Sequence, residues 1–484
     1  MDETRRLAEW LAGLRYEDLP REVVDFTKRF ILDDVGCLLG GAVQLGNKAL
    51  LKDVLTAGEK EECTIPVYGY KTSAPSAALL NGAFICGWDY DSSALGGSHL
   101  GSQTAAVLAM AERELADGRE IITAECAGIE TQCRIGINHG YGTDFPHPWH
   151  SNTVLGPFAA AAAAGKILGF DAKQMENALA IATHNLGGNY QHYYGWGSSM
   201  KRIRCGIGAW SGVRAALLAR EGLEGPLEAL EGPGGFLEAI NGRADDGSPF
   251  YNQELITDGL GTKWYTLTYR SKGGACYCVS ALGSALETIL MLKDRYLFRP
   301  EDVESVTLEF ANMHTLRECN WITGTELGAT PEQRLGSSGW SARWMAAETL
   351  LIGKPTIRNQ LRNIRPYGRY REIEELSKKV SCRINREYYD ELDRKGIYYP
   401  DQAGRVLIKL KDGKVLDGEP LPYKGLNDAR PENLHTFDSL AQKLAEQATA
   451  AGLSKAKQTR IVEFIQNLDN KPHLLNLIPQ LIRG

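Results

Sequence analysis

The chain has 484 residues, of which 43% are hydrophobic, 24% charged and 8% aromatic, a composition that fits a folded globular protein and excludes wholesale disorder or a fibre. At roughly 100–200 residues per domain, this length suits about two to four domains. Lys and Arg number 54 against 60 Asp and Glu, a formal charge of −6, with no basic stripe for a phosphate backbone, so a nucleic-acid partner is not expected.

In chain order, the first residues, Met1-Asp-Glu-Thr-Arg-Arg6, lack the charged-then-apolar pattern of a signal peptide. Apolar residues then recur at helical spacing, as in Val23, Val24, Phe26, Phe30, Ile31, Val35 and Leu38, and everything from Thr4 to about Arg220 reads as nearly all helix. Breaks fall at glycine and proline clusters, at Gly96-Gly97, at 146–148 and at 195–197, which suit loops between packed helices. The alanine-rich stretch 158–165 predicts a slim central helix that neighbours approach closely. The bland apolar run 157–170 stops short of the ~20 residues a membrane span needs, so no membrane partner is expected.

After Glu231-Gly-Pro-Gly-Gly-Phe236 the composition shifts, and strand-like runs appear at Val303–Phe310, Val380–Ile384 and Arg405–Leu410. Lys411-Asp412-Gly413-Lys414 is a hairpin signal with Asp-Gly at its tip. From about Pro431 helical spacing returns through Leu440, Leu444, Ile461, Ile465 and Leu474. The expected fold is therefore mainly α with an α+β second domain: a large helical domain formed by both chain ends (1–267 and 426–484) and a smaller α+β domain (268–425) inserted between them. Ten cysteines lie scattered without dense spacing, which argues against a disulfide framework and for a reducing, cytoplasmic setting.

Four polar segments interrupt this apolar body, and loops are where chemistry is usually placed. The first, from Trp88 through Asp89, Asp91, Ser93 and Gly96-Gly97 to His99, pairs carboxylates with a histidine, the ingredients of a base and its orienting partner. The competing reading makes Ser98 and Asp89 mere helix caps. The second, His147-Pro-Trp-His150, opens the alanine-rich helix, whose dipole disfavours a cationic imidazole and keeps it ready as base or donor. No cysteine or carboxylate close by in sequence completes a zinc set, so no metal is expected. The third, Lys201-Arg202-Ile203-Arg204, is either a solvated face or, following Trp196 and glycines and preceding an apolar helix, a pocket mouth that holds an anion. The fourth runs from Arg270 through Lys272 to Cys276-Tyr277-Cys278, at the expected domain junction, a common place for ligands. Its Cys-x-Cys pair alone does not build a metal site.

Taken in order, these segments resemble the MmgE/PrpD family. The resemblance covers essentially the whole chain: Ile31-Leu-Asp-Asp-Val-Gly36, the Asp-rich loop ending in His99, Trp149-His150 before the alanine-rich helix, Lys201-Arg202, Gly234-Gly-Phe236, Lys272 with Cys276, and Ser341. It implies a helical domain built from both chain ends, a smaller α+β lid, a homodimer, no cofactor, and an active site between the domains. Positions matching Asp89, Ser93, His99, His150 and Lys201 surround the substrate in the family's decarboxylases, with Ser93 replacing a threonine. Tyr277 and Ala281 stand where such members carry histidines, Trp344 stands where they carry a tyrosine, and Arg204 where many carry histidine.

The chemistry the resemblance implies moves a proton, or stabilises a carbanion, next to a carboxylate. Asp89, His99, His150, Lys201 and Tyr277 are the expected catalytic residues. Ser93, Arg204, Lys272 and Trp344 are the expected contacts to a small carboxylate substrate. The leading expectation is a lyase acting on a small hydroxy-di- or tricarboxylate, a hydro-lyase of the 2-methylcitrate dehydratase type or a related decarboxylase. An epimerase that returns the proton to the other face is the second, and a binding protein with an altered lid is the third.

Overall fold

The computed structural model describes residues 2–138, 149–189, 200–272, 280–311, 341–363, 368–394, 404–421 and 435–483. Among the described residues, ten α-helices make up the N-terminal part: α1 (Glu3–Gly13), α2 (Arg21–Ala42), α3 (Asn47–Ala57), α4 (Ala74–Ile85), α5 (Ser102–Glu114), α6 (Gly118–Gly136), α7 (Ser151–Ile167), α8 (Ala172–Ala182), α9 (Met200–Arg220) and α10 (Phe236–Asn241). Their starts follow capping chemistry. The Ser73 side chain accepts the Ser76 N–H ahead of α4, with Pro75 in the first turn, and Asp117 and Asp171 form capping boxes with Glu120 and Gln174 at α6 and α8.

The bundle centres on α9, which packs between α4 and α7. Small residues allow this closeness. Ala159 to Ala164 of α7 are fully buried, and α9 offers Gly206 and Gly212 where a Cβ would stand 2.2 Å from the Leu79 carbonyl oxygen and 2.4 Å from that of Pro157. Gly156 of α7 lies against Gly208 of α9, and Pro157 against Gly212, so the two helices run parallel and start at the same end of the bundle. Gly82, near the end of α4, meets Gly206 near the start of α9. The end of α4 and the starts of α7 and α9 therefore converge.

The stretch read as nearly all helix also contains short strands. β1 (Cys63–Thr64) pairs with β2 (Lys71–Thr72), and β3 (Ser92–Ala94) forms an antiparallel hairpin with β4 (Ser98–His99). β5 (Arg270–Ser271) adds to the free edge of β3, giving the order β4-β3-β5. Strands this short carry no alternation to detect in sequence, and only the long-range pairing of 92–93 with 270–271 stabilises them.

In the α+β part, β6 (Val303–Phe310), β7 (Val380–Ile384), β8 (Arg405–Leu410) and β9 (Val415–Gly418) form one sheet in the order β7-β6-β8-β9, with β6 and β7 parallel and the other pairs antiparallel. The expected strands and hairpin stand where the sequence placed them; Gly413 takes φ 87° and the Asp412 carboxylate accepts the Lys414 N–H. α11 (Ser280–Tyr296) packs on β8, β9 and α12 (Ala342–Ile352). α13 (Ile357–Asn363), α14 (Tyr370–Ser377) and α15 (Arg386–Arg394) follow, with α14 against α12. The chain then returns to the helical body: α16 (Phe437–Ala450) and α17 (Lys455–Gln466) pack on α2, and α18 (Ile478–Leu481) packs on α17. The mainly α architecture with a smaller α+β part agrees with the sequence reading. Among the described residues no helix is long and apolar enough to cross a membrane.

Candidate active site

The converging helix ends carry the site. α4 runs into a 3-10 turn, Cys86–Trp88, closed by Asp89 in the left-handed region at φ 54°, a conformation Asp tolerates better than most residues. That turn is held by the Trp88 indole N–H on the Gly40 carbonyl at 2.8 Å, and it aims the Asp89 carboxylate at the start of α9.

Three cations meet there. Arg204 Nη2 lies 2.7 Å and Lys201 Nζ 3.4 Å from Asp89 Oδ1, while Lys272 Nζ lies 2.5 Å from Asp89 Oδ2 and donates to the Asp89 carbonyl at 2.7 Å. All four side chains are buried. Burial pushes the Asp89 carboxyl up, but Lys201, Lys272, His99 and Arg204 outweigh it and hold it well below the usual carboxylate range. Arg202, also buried, donates to the Gly87 carbonyl. Burial lowers its guanidinium to about 10, against the pull of Asp89, so it stays charged at neutral pH.

His99 faces the same cluster, with Nε2 3.7 Å from Asp89 Oδ1 and Nδ1 3.1 Å from Asp91 Oδ2. Burial lowers its pKa, and Lys272 and Arg204 add to this, so it falls below 6.5 although Asp91 and Asp89 raise it. His99 is thus neutral at pH 7. Asp91, fully buried, is pushed up by burial but held low by His99 and Arg204.

His150 is the N-cap of α7. Its Nδ1 accepts the Asn152 N–H at 3.3 Å, which in the neutral ring places the proton on Nε2. Asn152 Nδ2 in turn donates to the His99 carbonyl at 3.2 Å, tying the α7 start to β4. Ser93 is the cross-strand partner of His99. The structure therefore brings Asp89, His99, Lys201, Arg204 and Lys272 into one cluster and sets Ser93 and His150 on elements joined to it. Trp344 is buried in α12, with its ring 5.2 Å from Tyr370 of α14. Tyr277, the side chain of Ala281 and His147 lie outside the described residues. Ser98 does not cap a helix; it lies in β4 at φ 55°, and α5 starts after Gly101.

Two features escaped the sequence. Asp33 of α2 and Lys443 of α16 form a buried ion pair at 2.6 Å, and Lys443 also donates to the Tyr90 carbonyl at 2.7 Å and to Ser271 Oγ at 3.0 Å. Burial lowers the Lys443 pKa, but Asp33 and its neighbours more than offset this. Lys443 thereby braces the chain beside Asp89 and beside Lys272 from behind. No motif signals a contact spanning 353 residues. Behind the sheet, Asp34 accepts from Ser92 Oγ at 2.9 Å and Thr104 Oγ1 at 2.8 Å, and burial raises it well above the ordinary carboxylate value. The second feature corrects the cysteine reading: Cys86 and Cys205 are disulfide-bonded, Cα atoms 6.4 Å apart, joining the segments that carry Asp89 and Arg204. Folding brings together two cysteines 119 positions apart, which spacing cannot reveal.

Asp89, Asp91 and His99 place metal-capable atoms within 4.8 Å of one another, but Lys201, Arg204 and Lys272 already occupy or repel from the same oxygens. Among the described residues the cluster gathers four cations, Lys201, Arg202, Arg204 and Lys272, with the carboxylates Asp89 and Asp91. The parallel α7 and α9 also direct their positive dipole ends here.

Comparison with known proteins agrees with the sequence resemblance. The family model for the MmgE/PrpD N-terminal domain matches residues 5–247, half of the chain. The chain belongs to the MmgE/PrpD family. Among its relatives, a cis-aconitate decarboxylase of Aspergillus terreus is 29% identical over 463 residues, covering 92% of this chain and 90% of that protein. A second Aspergillus terreus cis-aconitate decarboxylase is 29% identical over 492 residues, covering 99% and 95%. The human cis-aconitate decarboxylase is 28% identical over 222 residues, covering 45% and 46%. In this MmgE/PrpD protein the matched N-terminal region contributes Asp89, His99, His150, Lys201 and Arg204, and Lys272 arrives from beyond it.

Proposed function

We propose that the protein is a lyase that removes carbon dioxide from a small unsaturated tricarboxylate of the cis-aconitate type. The observation that carries this reading is the buried cluster in which Lys201, Arg204 and Lys272 converge on Asp89. Such a cluster stabilises a bound polycarboxylate and, in a site poor in water, the negative charge that develops beside a carboxylate, an effect worth several kcal/mol.

When the carbon–carbon bond breaks, carbon dioxide leaves and its electron pair stays on the substrate, spread towards a neighbouring carboxylate that Lys201, Arg204 and Lys272 neutralise. The pair must then take a proton. His150, with Nδ1 committed to its helix cap, presents the proton on Nε2, while neutral His99, oriented by Asp91, serves as the base that shuttles protons. Loss of water from a hydroxy acid makes the same demands; the names of the relatives favour loss of carbon dioxide.

The test is NMR in deuterated water with cis-aconitate, methylcitrate and citrate. Conversion of cis-aconitate to a product with new vinyl signals, one carboxylate fewer and deuterium at carbon supports decarboxylation. Lys201→Ala and His150→Ala are expected to lower turnover at least 1000-fold. A new vinyl product from methylcitrate alone selects the hydro-lyase, and wild-type rates in both variants refute the site.

A further inference from the structure

Arg270 is not among the residues used above, yet the small sheet aims it towards the same cluster. Residues directly opposite in an antiparallel pair point to the same face, and Ser93 is opposite both His99 on β4 and Arg270 on β5. Their neighbours Ser92 and Ser271 point the other way, into the body, where Ser92 Oγ donates to Asp34 and Ser271 Oγ accepts from Lys443. Alternation along the chain returns Lys272 to the face of Arg270, and its Nζ on Asp89 identifies that face as the one towards the cluster. His99, Ser93, Arg270 and Lys272 thus form one row.

Within this row Arg270 differs from the other cations. Its Nε is buried and has no hydrogen-bond partner among the described residues, and no carboxylate among them pairs with it. A guanidinium left half-buried without an acid is costly unless an anion completes it, and its planar fork suits a carboxylate. Two residues along an extended chain separate Arg270 from Lys272 by about 7 Å at Cα, a distance that a three-carbon polycarboxylate spans.

We propose that Arg270 forms the outer end of the anion site and holds a carboxylate that does not react, so that the protein selects tricarboxylates over dicarboxylates. This rests on the reading of the Asp89 cluster as the substrate site, not on which bond is broken there.

Titration calorimetry with two inert acids tests it: propane-1,2,3-tricarboxylate, and methylsuccinate, which lacks only one terminal carboxylate. The wild-type protein is expected to prefer the tricarboxylate at least 30-fold. Arg270→Gln reduces that preference to less than threefold with methylsuccinate affinity changed less than twofold and the melting temperature preserved; Arg270→Lys restores part of it. An unchanged preference in Arg270→Gln, equal loss for both acids, or a wild-type protein that binds neither or both alike overturns the proposal. Turnover of cis-aconitate, followed on the same preparation, fails or succeeds independently, because neither probe reacts.

Discussion

Removing the charge of Asp89 separates its two jobs. Asp89→Asn keeps the shape and one acceptor oxygen but leaves Lys201, Arg204 and Lys272 buried without their shared counter-ion. Breaking a buried pair from one side costs about 3–5 kcal/mol; the remaining acceptor places the expected loss near about 3 kcal/mol, seen as a lower melting temperature without ligand. A substrate carboxylate sharing these cations from the opposite side stands about 5 Å from Asp89, roughly twice an ammonium–carboxylate contact. At an effective dielectric constant of about 20, repulsion over that distance is about 3 kcal/mol. The variant is therefore expected to bind propane-1,2,3-tricarboxylate up to roughly 100-fold more tightly than wild type, and to recover its melting temperature on saturation. Calorimetry and thermal unfolding, with and without the acid, measure both. A variant that melts like wild type and binds the tricarboxylate equally or less well refutes the charge argument.

Three further predictions concern the surroundings. His99 titrates below 6.5 in the folded protein, so the unfolded chain takes up its proton first, and stability is lost as pH falls below about 6.5 towards the folded value. The same titration puts an acid limb on kcat/KM with an apparent pKa below 6.5, which His99→Gln removes; a limb that survives in the variant assigns it to another group. Lys443→Met unpairs Asp33 and frees the Tyr90 carbonyl and Ser271. It is expected to cost about 3 kcal/mol and to lower kcat more than it raises KM, and adding Asp33→Asn should cost less than the sum of the two single changes in chemical denaturation. Gly212→Ala places a methyl 2.4 Å from the Pro157 carbonyl oxygen, forcing α7 and α9 apart; about 1–3 kcal/mol of stability is lost, and because both helix starts bear site residues, activity falls with it.

The strands Val303–Phe310, Val380–Ile384 and Arg405–Leu410 and the Asp412-Gly413 turn were legible because each carries its own local signal: β-branched residues in a run, or a dipeptide suited to a left-handed turn. The helices of the N-terminal part were legible for the same reason, since a buried stripe repeats with the turn of the helix. The polar loops that interrupt this pattern pointed to Asp89, His99, His150, Lys201 and Lys272, because charge in a loop between apolar helices needs an explanation. Trp344 shows the limit. The sequence offers it as a substrate contact, and only the tertiary structure sets its ring against Tyr370.

By itself, then, the sequence determined the helical and strand segments, the return of the chain end to the helical body and the identity of the charged groups available for chemistry, because all of these follow from local periodicity and composition. Only the tertiary structure decided which charges meet. The three-strand sheet that aligns His99, Ser93, Arg270 and Lys272 exists through pairing across about 180 residues. The glycine contacts of α4, α7 and α9 bring three helix ends together, and Lys443 reaches the site from the far end of the chain. Coulomb interactions depend on distance in space, and distance along the chain does not encode it.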